Sequence, residues 1–180
     1  GMQCLQGAGS AEASKRLPLL GAPPPQVEED EVTYVSIGDG ATGEGEFWEF
    51  LNTICTERLP VVCVVEDNGY AISCPATYHT AGGDISRLVE SFPNLEVIRV
   101  DGTDLVQSYR AIREAAAYAR ARKGPALVHA KVIRPYSHSH SDDERHYKTV
   151  EERELEAERD PIVKLARLLL SDGLATESEL

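Results

Sequence analysis

Apolar positions change their period along the chain, and each change marks an element. Residues 32–37 form a β-branched run that stops at Gly38-Asp39-Gly40, which predicts a strand ending at a glycine-flanked carboxylate. Phe47, Phe50, Leu51, Ile54 and Cys55 then recur at helical spacing, so residues 45–58 should be an amphipathic helix. Residues 60–65 are continuously apolar and end at Glu66-Asp67-Asn68-Gly69. Unbroken rather than alternating apolarity suits a strand covered on both faces, which favours a parallel sheet. A short helix at 84–91 and a third strand at 95–100 follow. Asp104 can cap a long helix through Arg122, with Leu105, Tyr109, Ile112, Ala116 and Ala119 on one side, stopped by Gly124-Pro125. A fourth strand spans 126–133, and Pro161 opens a last helix carrying Ile162, Leu165, Ala166 and Leu169 and closing near Gly173.

Strands alternating with helices predict an α/β fold, an open, doubly wound, mainly parallel sheet with helices on both faces. The segment Met2–Arg16 is rich in glycine, alanine and serine, and reads as a helix that lets another backbone come close. Residues 21–30 hold three consecutive prolines and a run of acids, within a Pro/acid insertion at about 18–31. The polar, aperiodic stretch 134–148 is expected to be a mobile loop, and the acidic run 151–160 an exposed helical face. With 180 residues, the chain suits a single domain.

Charge narrows the function. Lys plus Arg number 18 against 30 for Asp plus Glu, a formal charge of −12 that would repel a phosphate backbone, so no nucleic-acid partner is expected. No apolar run could span a bilayer and no basic-then-apolar leader opens the chain, so neither a membrane partner nor secretion is expected. Four cysteines without CxxC spacing read as free thiols of a cytoplasmic protein. Gly1 stands before Met2, which is the expected native start.

Ligands of such sheets bind outside the carboxyl ends of the strands. Two polar turns fall there, Gly38-Asp39-Gly40-Ala41 and Asp67-Asn68-Gly69-Tyr70. Backbone N–H groups of Gly40 and Ala41 at a helix start can hold a phosphate oxygen, while Asp39 and Asn68 offer hard oxygen ligands. Either turn alone is most simply a tight turn; paired on successive strand ends, they describe a site for a metal-bridged diphosphate.

These residues resemble the thiamine-diphosphate motif, which opens with GDG and closes with an asparagine. GDGATGEGEFWEFLN, LPVVCVVEDNGYAIS, IRVDGTDLVQSY and SHSHSDD are similar to the α subunits of 2-oxo acid dehydrogenases, the branched-chain (2-oxoisovalerate) type first and the pyruvate type second. The resemblance implies the thiamine-diphosphate-binding fold and oxidative decarboxylation of a 2-oxo acid with acyl transfer to a lipoyl group. It implies thiamine diphosphate and Mg2+ as cofactors, with Asp39, the Asn68 side chain and the Tyr70 backbone carbonyl on the metal. Gly38, Gly40 and Ala41 would line the diphosphate, and His138 would stand near thiazolium and substrate as the catalytic residue. Ser139 matches a serine that regulatory kinases modify in some members, and Tyr147 belongs to the same loop. Implied partners are a β-type dehydrogenase chain and a lipoyl-bearing acyltransferase, in a homo- or hetero-oligomer.

The chain departs from the family pattern at Glu66, where branched-chain members usually carry an arginine, at Ser137, which replaces a histidine, and at Lys148, which replaces an arginine. Family members also have a long segment before the residues matching Gln3, so an N-terminally truncated chain, inactive without its partner, is expected. Other readings stay open: a non-catalytic module keeping the fold and subunit contacts, a phosphate or metal binder unrelated to thiamine, solvated loop histidines at 138, 140 and 146, or zinc on the loop histidines. His129, on a strand, and His79, in a turn region, read as structural.

Overall fold

The computed structural model describes residues 1–20 and 30–180. The predicted linker falls almost wholly on residues 21–29, outside the described residues, and the start of the expected insertion forms a 3-10 turn, Leu17–Leu20. Four strands make one parallel sheet: β1 (Thr33–Gly38), β2 (Val61–Asp67), β5 (Glu96–Asp101) and β6 (Ala126–Lys131), in the order β1-β2-β6-β5. Helices cover both faces, as the sequence pattern requires of an α/β fold. A two-residue-per-strand hairpin, β3 (Tyr70–Ala71) with β4 (Cys74–Pro75), stands apart from the sheet just after β2.

Strand direction and crossover hand decide which helix goes where. From β1 to β2, and from β2 across to β5, the chain moves one way along the sheet. Its helices α2 (Gly45–Thr56) and α4 (Ile85–Leu88) therefore share one face. From β5 it turns back to β6, so α5 (Leu105–Arg120) lies on the other face. β2 shows both consequences in its side chains. Cys63 and Val65 join the core under α2, Val62 and Val64 the core under α5, which explains its continuous apolarity.

The first core is large-residue packing: Phe47, Phe50, Leu51 and Ile54 of α2 are completely buried, as their spacing predicts. Trp48 packs edge-on to Phe47 and against Phe92, as a packing residue should. Helix α1 (Met2–Arg16) reaches the same core with small residues instead, burying Cys4, Gly7, Ala8 and Ala11 over β1. A Cβ on Gly7 would sit 2.4 Å from Cγ2 of Val35, so the closeness depends on glycine there.

The second core bears out part of the expected face of α5, with Ala119 buried and Ile112 and Ala116 packed against it, and corrects the rest. Its buried row is Ala111, Ala115 and Ala119, while Leu105 and Tyr109 are exposed. The valines of β2 and β6 already fill the space between sheet and helix, so alanines face them directly, Ile112 and Tyr118 pack at the flanks, and Leu105 and Tyr109 turn outward. The predicted helix at 84–91 is confined to the four residues of α4, started by the Asp84 carboxylate, which accepts from Ser86 N. Residues 71–83, where hydrophobic period predicts no element, hold most of the hairpin, a single helical turn α3 (Ala76–His79) and a 3-10 turn.

The acidic run forms α6 (Val150–Glu158), with no buried residue. The last helix, α7 (Pro161–Ser171), starts where Pro161 predicts, but Ile162 is exposed and no residue of it is buried. Lys164 ties it to Asp101 and Thr103 at the end of β5. All four cysteines are unpaired, three of them buried, and no helix among the described residues is long and apolar enough to cross a membrane.

Gly7→Ala should destabilise the chain by about 1–3 kcal/mol, because Val35 is stiff at χ1 and α1 must back away. Urea unfolding reads this, and Gly7→Ala combined with Val35→Ala should recover part of the loss; a neutral Gly7→Ala refutes the contact.

Candidate functional site

Parallel pairing of β1 and β2 runs in register from Thr33↔Val61 to Gly38↔Glu66, so the two polar turns leave adjacent strand ends side by side. The first turn is a 3-10 helix, Asp39–Gly43, closed by Thr42 Oγ1 donating to the Asp39 carbonyl at 2.7 Å. Gly40 touches the hairpin that follows the second turn. A Cβ there would come 2.7 Å from Ala71 Cβ and 3.1 Å from Ala71 Cα, so only glycine lets the two turns pack this closely. Gly38 faces open space, and Ala41 packs at the edge of the first core.

Asp39 is 3% exposed. Its Oδ2 accepts no hydrogen bond, and His79 Nε2, at 3.5 Å, is its ion-pair neighbour. Burial pushes its carboxyl above the ordinary range, and the charge of Asp67 adds to this. His79 and the backbone N–H groups of Asp39 and Asn68 pull the other way.

In that second turn Gly69 has φ +84°, a left-handed conformation that suits glycine. Asn68 Oδ1 accepts from Tyr70 N at 3.1 Å, leaving a lone pair of the amide oxygen free. Asp67 is as buried as Asp39 but opposite in character. Its Oδ1 accepts from Gly69 N at 2.8 Å; its Oδ2 meets His129 Nε2 at 2.6 Å and accepts from Lys131 Nζ. Burial alone would raise its carboxyl; the hydrogen bonds from His129 and Lys131 and the Lys131 charge outweigh that and lower it to about 2. Two buried carboxylates thus lie at neighbouring strand ends, one fully partnered and one with an unpartnered oxygen.

Glu66 does not intrude. It alternates with Asp67 on β2, points to the opposite face and accepts from Ser36 Oγ at 2.5 Å. His138 and Ser139 are placed apart from the turns. The His138 ring is exposed, its backbone N donates to Asp142 Oδ2 at 2.9 Å, and Ser139 Oγ pairs with Ser141 Oγ. Among the described residues no hydrogen bond or ion pair joins His138 to Asp39 or Asn68.

The feet of that loop are tied to the second turn through Tyr70. The Tyr70 ring stacks 5.6 Å from Tyr147, with the Arg134 guanidinium 5.7 Å from both rings and Lys148 Nζ 5.4 Å from Tyr70. Arg134 donates to Tyr147 OH and Ile72 O, and Tyr70 OH to Glu152. Lys148, completely buried in its side chain, pairs with Glu156 at 2.5 Å. Periodicity could not reveal these contacts, since they join residues far apart in sequence. The signal available for His79, Asp67 and His129 was only that ionisable residues sit at or near strand ends. No group of three His, Cys, Asp or Glu able to hold a metal occurs among the described residues, so the zinc reading of the loop histidines finds no cluster.

Because burial disfavours the Asp39 charge, Asp39→Asn should raise the thermal midpoint at pH 7. A raised folded-state pKa means proton uptake stabilises the fold, so the advantage should shrink as pH falls through that pKa. A midpoint that drops at pH 7 contradicts the buried, underpartnered carboxylate.

A family model described as "Dehydrogenase E1 component" matches residues 1–180. The chain is 37% identical over 174 residues to the 3-methyl-2-oxobutanoate dehydrogenase subunit alpha of Mycobacterium tuberculosis, covering 97% of this chain and 44% of that protein. It is 37% identical over 148 residues to the pyruvate dehydrogenase E1 component subunit alpha of Mycoplasma pneumoniae, covering 82% and 41%. Against the somatic, mitochondrial form of that subunit in Sus scrofa it is 36% identical over 152 residues, covering 84% and 38%. The chain thus spans less than half the length of these relatives.

Proposed function

The chain belongs to the dehydrogenase E1 component family, and on that premise we propose that it forms the diphosphate-anchoring side of a thiamine-diphosphate site in a 2-oxo acid decarboxylating enzyme. The observation that carries this reading is the unpartnered Oδ2 of buried Asp39 beside the Asn68 turn. A buried anionic oxygen without a donor is costly unless a cation takes the place of the missing partner. Asp39, the Asn68 amide oxygen and the Tyr70 carbonyl are all oxygen donors. That set suits Mg2+, which takes few protein ligands and completes its shell with phosphate and water. Gly38, Gly40 and Ala41 present backbone N–H groups to the diphosphate in the same turn.

Bound thiamine diphosphate would supply an electron sink for loss of carbon dioxide. The chain's own work is to hold the charged tail, to keep the Asp39 carboxylate ionised once a cation arrives, and to bring His138 up as a proton carrier. An imidazole on an exposed loop suits that role when a partner surface or substrate covers it. Ser139, equally exposed, is the proposed position of regulatory modification. The proposed partners are a β-type dehydrogenase chain and a lipoyl-bearing acyltransferase, in a cytoplasmic hetero-oligomer. A branched-chain 2-oxo acid is the first substrate to test, because the match to the mycobacterial subunit extends over more of this chain than the pyruvate-type matches do.

Titration calorimetry of the chain with its β-type partner should show thiamine diphosphate binding that requires Mg2+, with affinity at least 100-fold weaker in Asp39→Ala. Turnover with a lipoyl acceptor should accompany it. Affinity retained in Asp39→Ala, or inorganic phosphate binding as tightly as the cofactor without metal, overturns the reading. Cofactor binding without turnover would favour the non-catalytic module.

A further inference from the structure

The second turn is not held by its own residues alone. Asp67, immediately before Asn68, uses Oδ1 to hold the Gly69 N–H at 2.8 Å, which fixes the backbone on the far side of Asn68. Its Oδ2 is gripped from β6, by His129 Nε2 at 2.6 Å and by Lys131 Nζ. The β2–β6 register makes this possible, pairing Val65↔His129 and Asp67↔Lys131. His129 is itself backed: it is 2% exposed, and its Nδ1 lies 3.4 Å from Asp84 Oδ1. Asp84 in turn accepts from Ser86 N and Ser86 Oγ at the start of α4. A line of contacts therefore runs from α4 through a buried histidine to the backbone beside Asn68.

Both groups are buried. A buried carboxylate and a buried imidazole are costly unless each satisfies the other, so each fixes where the other stands.

We propose that Asp67 and His129 are a positioning couple for the metal-binding turn: His129, braced by Asp84, orients the Asp67 carboxylate, which holds Gly69 and thereby aims the Asn68 side chain. The assignment deepens the thiamine-diphosphate reading and rests on it for the identity of the metal. Its mechanical half, the hold of His129 on the Gly69 backbone through Asp67, stands on this chain's contacts alone.

The two halves have separate readouts. In the cofactor-free full chain, amide hydrogen exchange at Gly69 and Tyr70 should accelerate at least ten-fold in His129→Leu, while amides of β1 away from the turn keep their rates. Adding Asp67→Asn to His129→Leu should restore most of the protection. The amide oxygen still accepts from Gly69, and the buried carboxylate that has lost one of its two Oδ2 donors, keeping only Lys131, is gone. A purely structural role for His129 gives no such rescue. Unchanged Gly69 exchange in His129→Leu, or loss of protection spread evenly over the sheet and not rescued, overturns the couple.

With the partner present, Mg2+ titrated at saturating thiamine diphosphate should bind about ten-fold more weakly to His129→Leu than to the intact chain, with recovery in the double variant. Equal Mg2+ affinity in all three overturns the positioning role. If the intact chain binds no Mg2+ with the cofactor, the functional reading and the metal half of this proposal fail together, while the Gly69 exchange still decides the mechanical half.

Discussion

Everything at the candidate site depends on the parallel pairing of β1 with β2. A parallel pair has to carry the chain back to the starting edge before the second strand begins, so both strands end at the same side of the sheet. Here that geometry sets Gly38 opposite Glu66, and the next residues of each strand leave together as polar turns. A shift of one residue would exchange the faces of Glu66 and Asp67, sending the partnered carboxylate outward and the other one in. The chemistry is therefore a consequence of register before it is a matter of side chains.

Register is in turn protected by how closely the layers approach. On one face Gly7 lets α1 sit on Val35; on the other an alanine row sets the distance of α5 from the valines of β2 and β6. Near the turns Gly40 does the same against Ala71. These small residues contribute little apolar area themselves. Their contribution is steric: they fix separations that a larger residue would widen, and close-packed interiors transmit such changes rather than absorb them. The aromatic and aliphatic bulk of the first core comes from α2.

The parallel sheet, its helices and the two turns were legible because hydrophobic period, glycine placement and caps are local signals. Phe47, Phe50 and Ile54 lie in the core their spacing predicts, and Asp104 caps α5 as its position suggests. On α5 the expected face holds at Ile112, Ala116 and Ala119 but not at Leu105 and Tyr109, because the sequence does not display how full the opposing valine layer already is. The hairpin at 70–75 was illegible for another reason: its strands are two residues long, below any detectable period. In the candidate site, the expectation for Asp39 and Asn68 rests on turn chemistry, which is local. The partners of those turns, His79, His129 and Lys131, were not legible, since their relevance comes from strand pairing and from the single turn α3 packed against the first turn.

The clasp between Arg134 and Tyr147 joins positions 13 residues apart, and Lys148 anchors the second of them to α6. The segment carrying His138 and Ser139 is thus an arch standing on two fixed feet, not a strap hinged at one end. Whatever excursion its crest makes, the imidazole travels on a short tether from the Tyr70 ring.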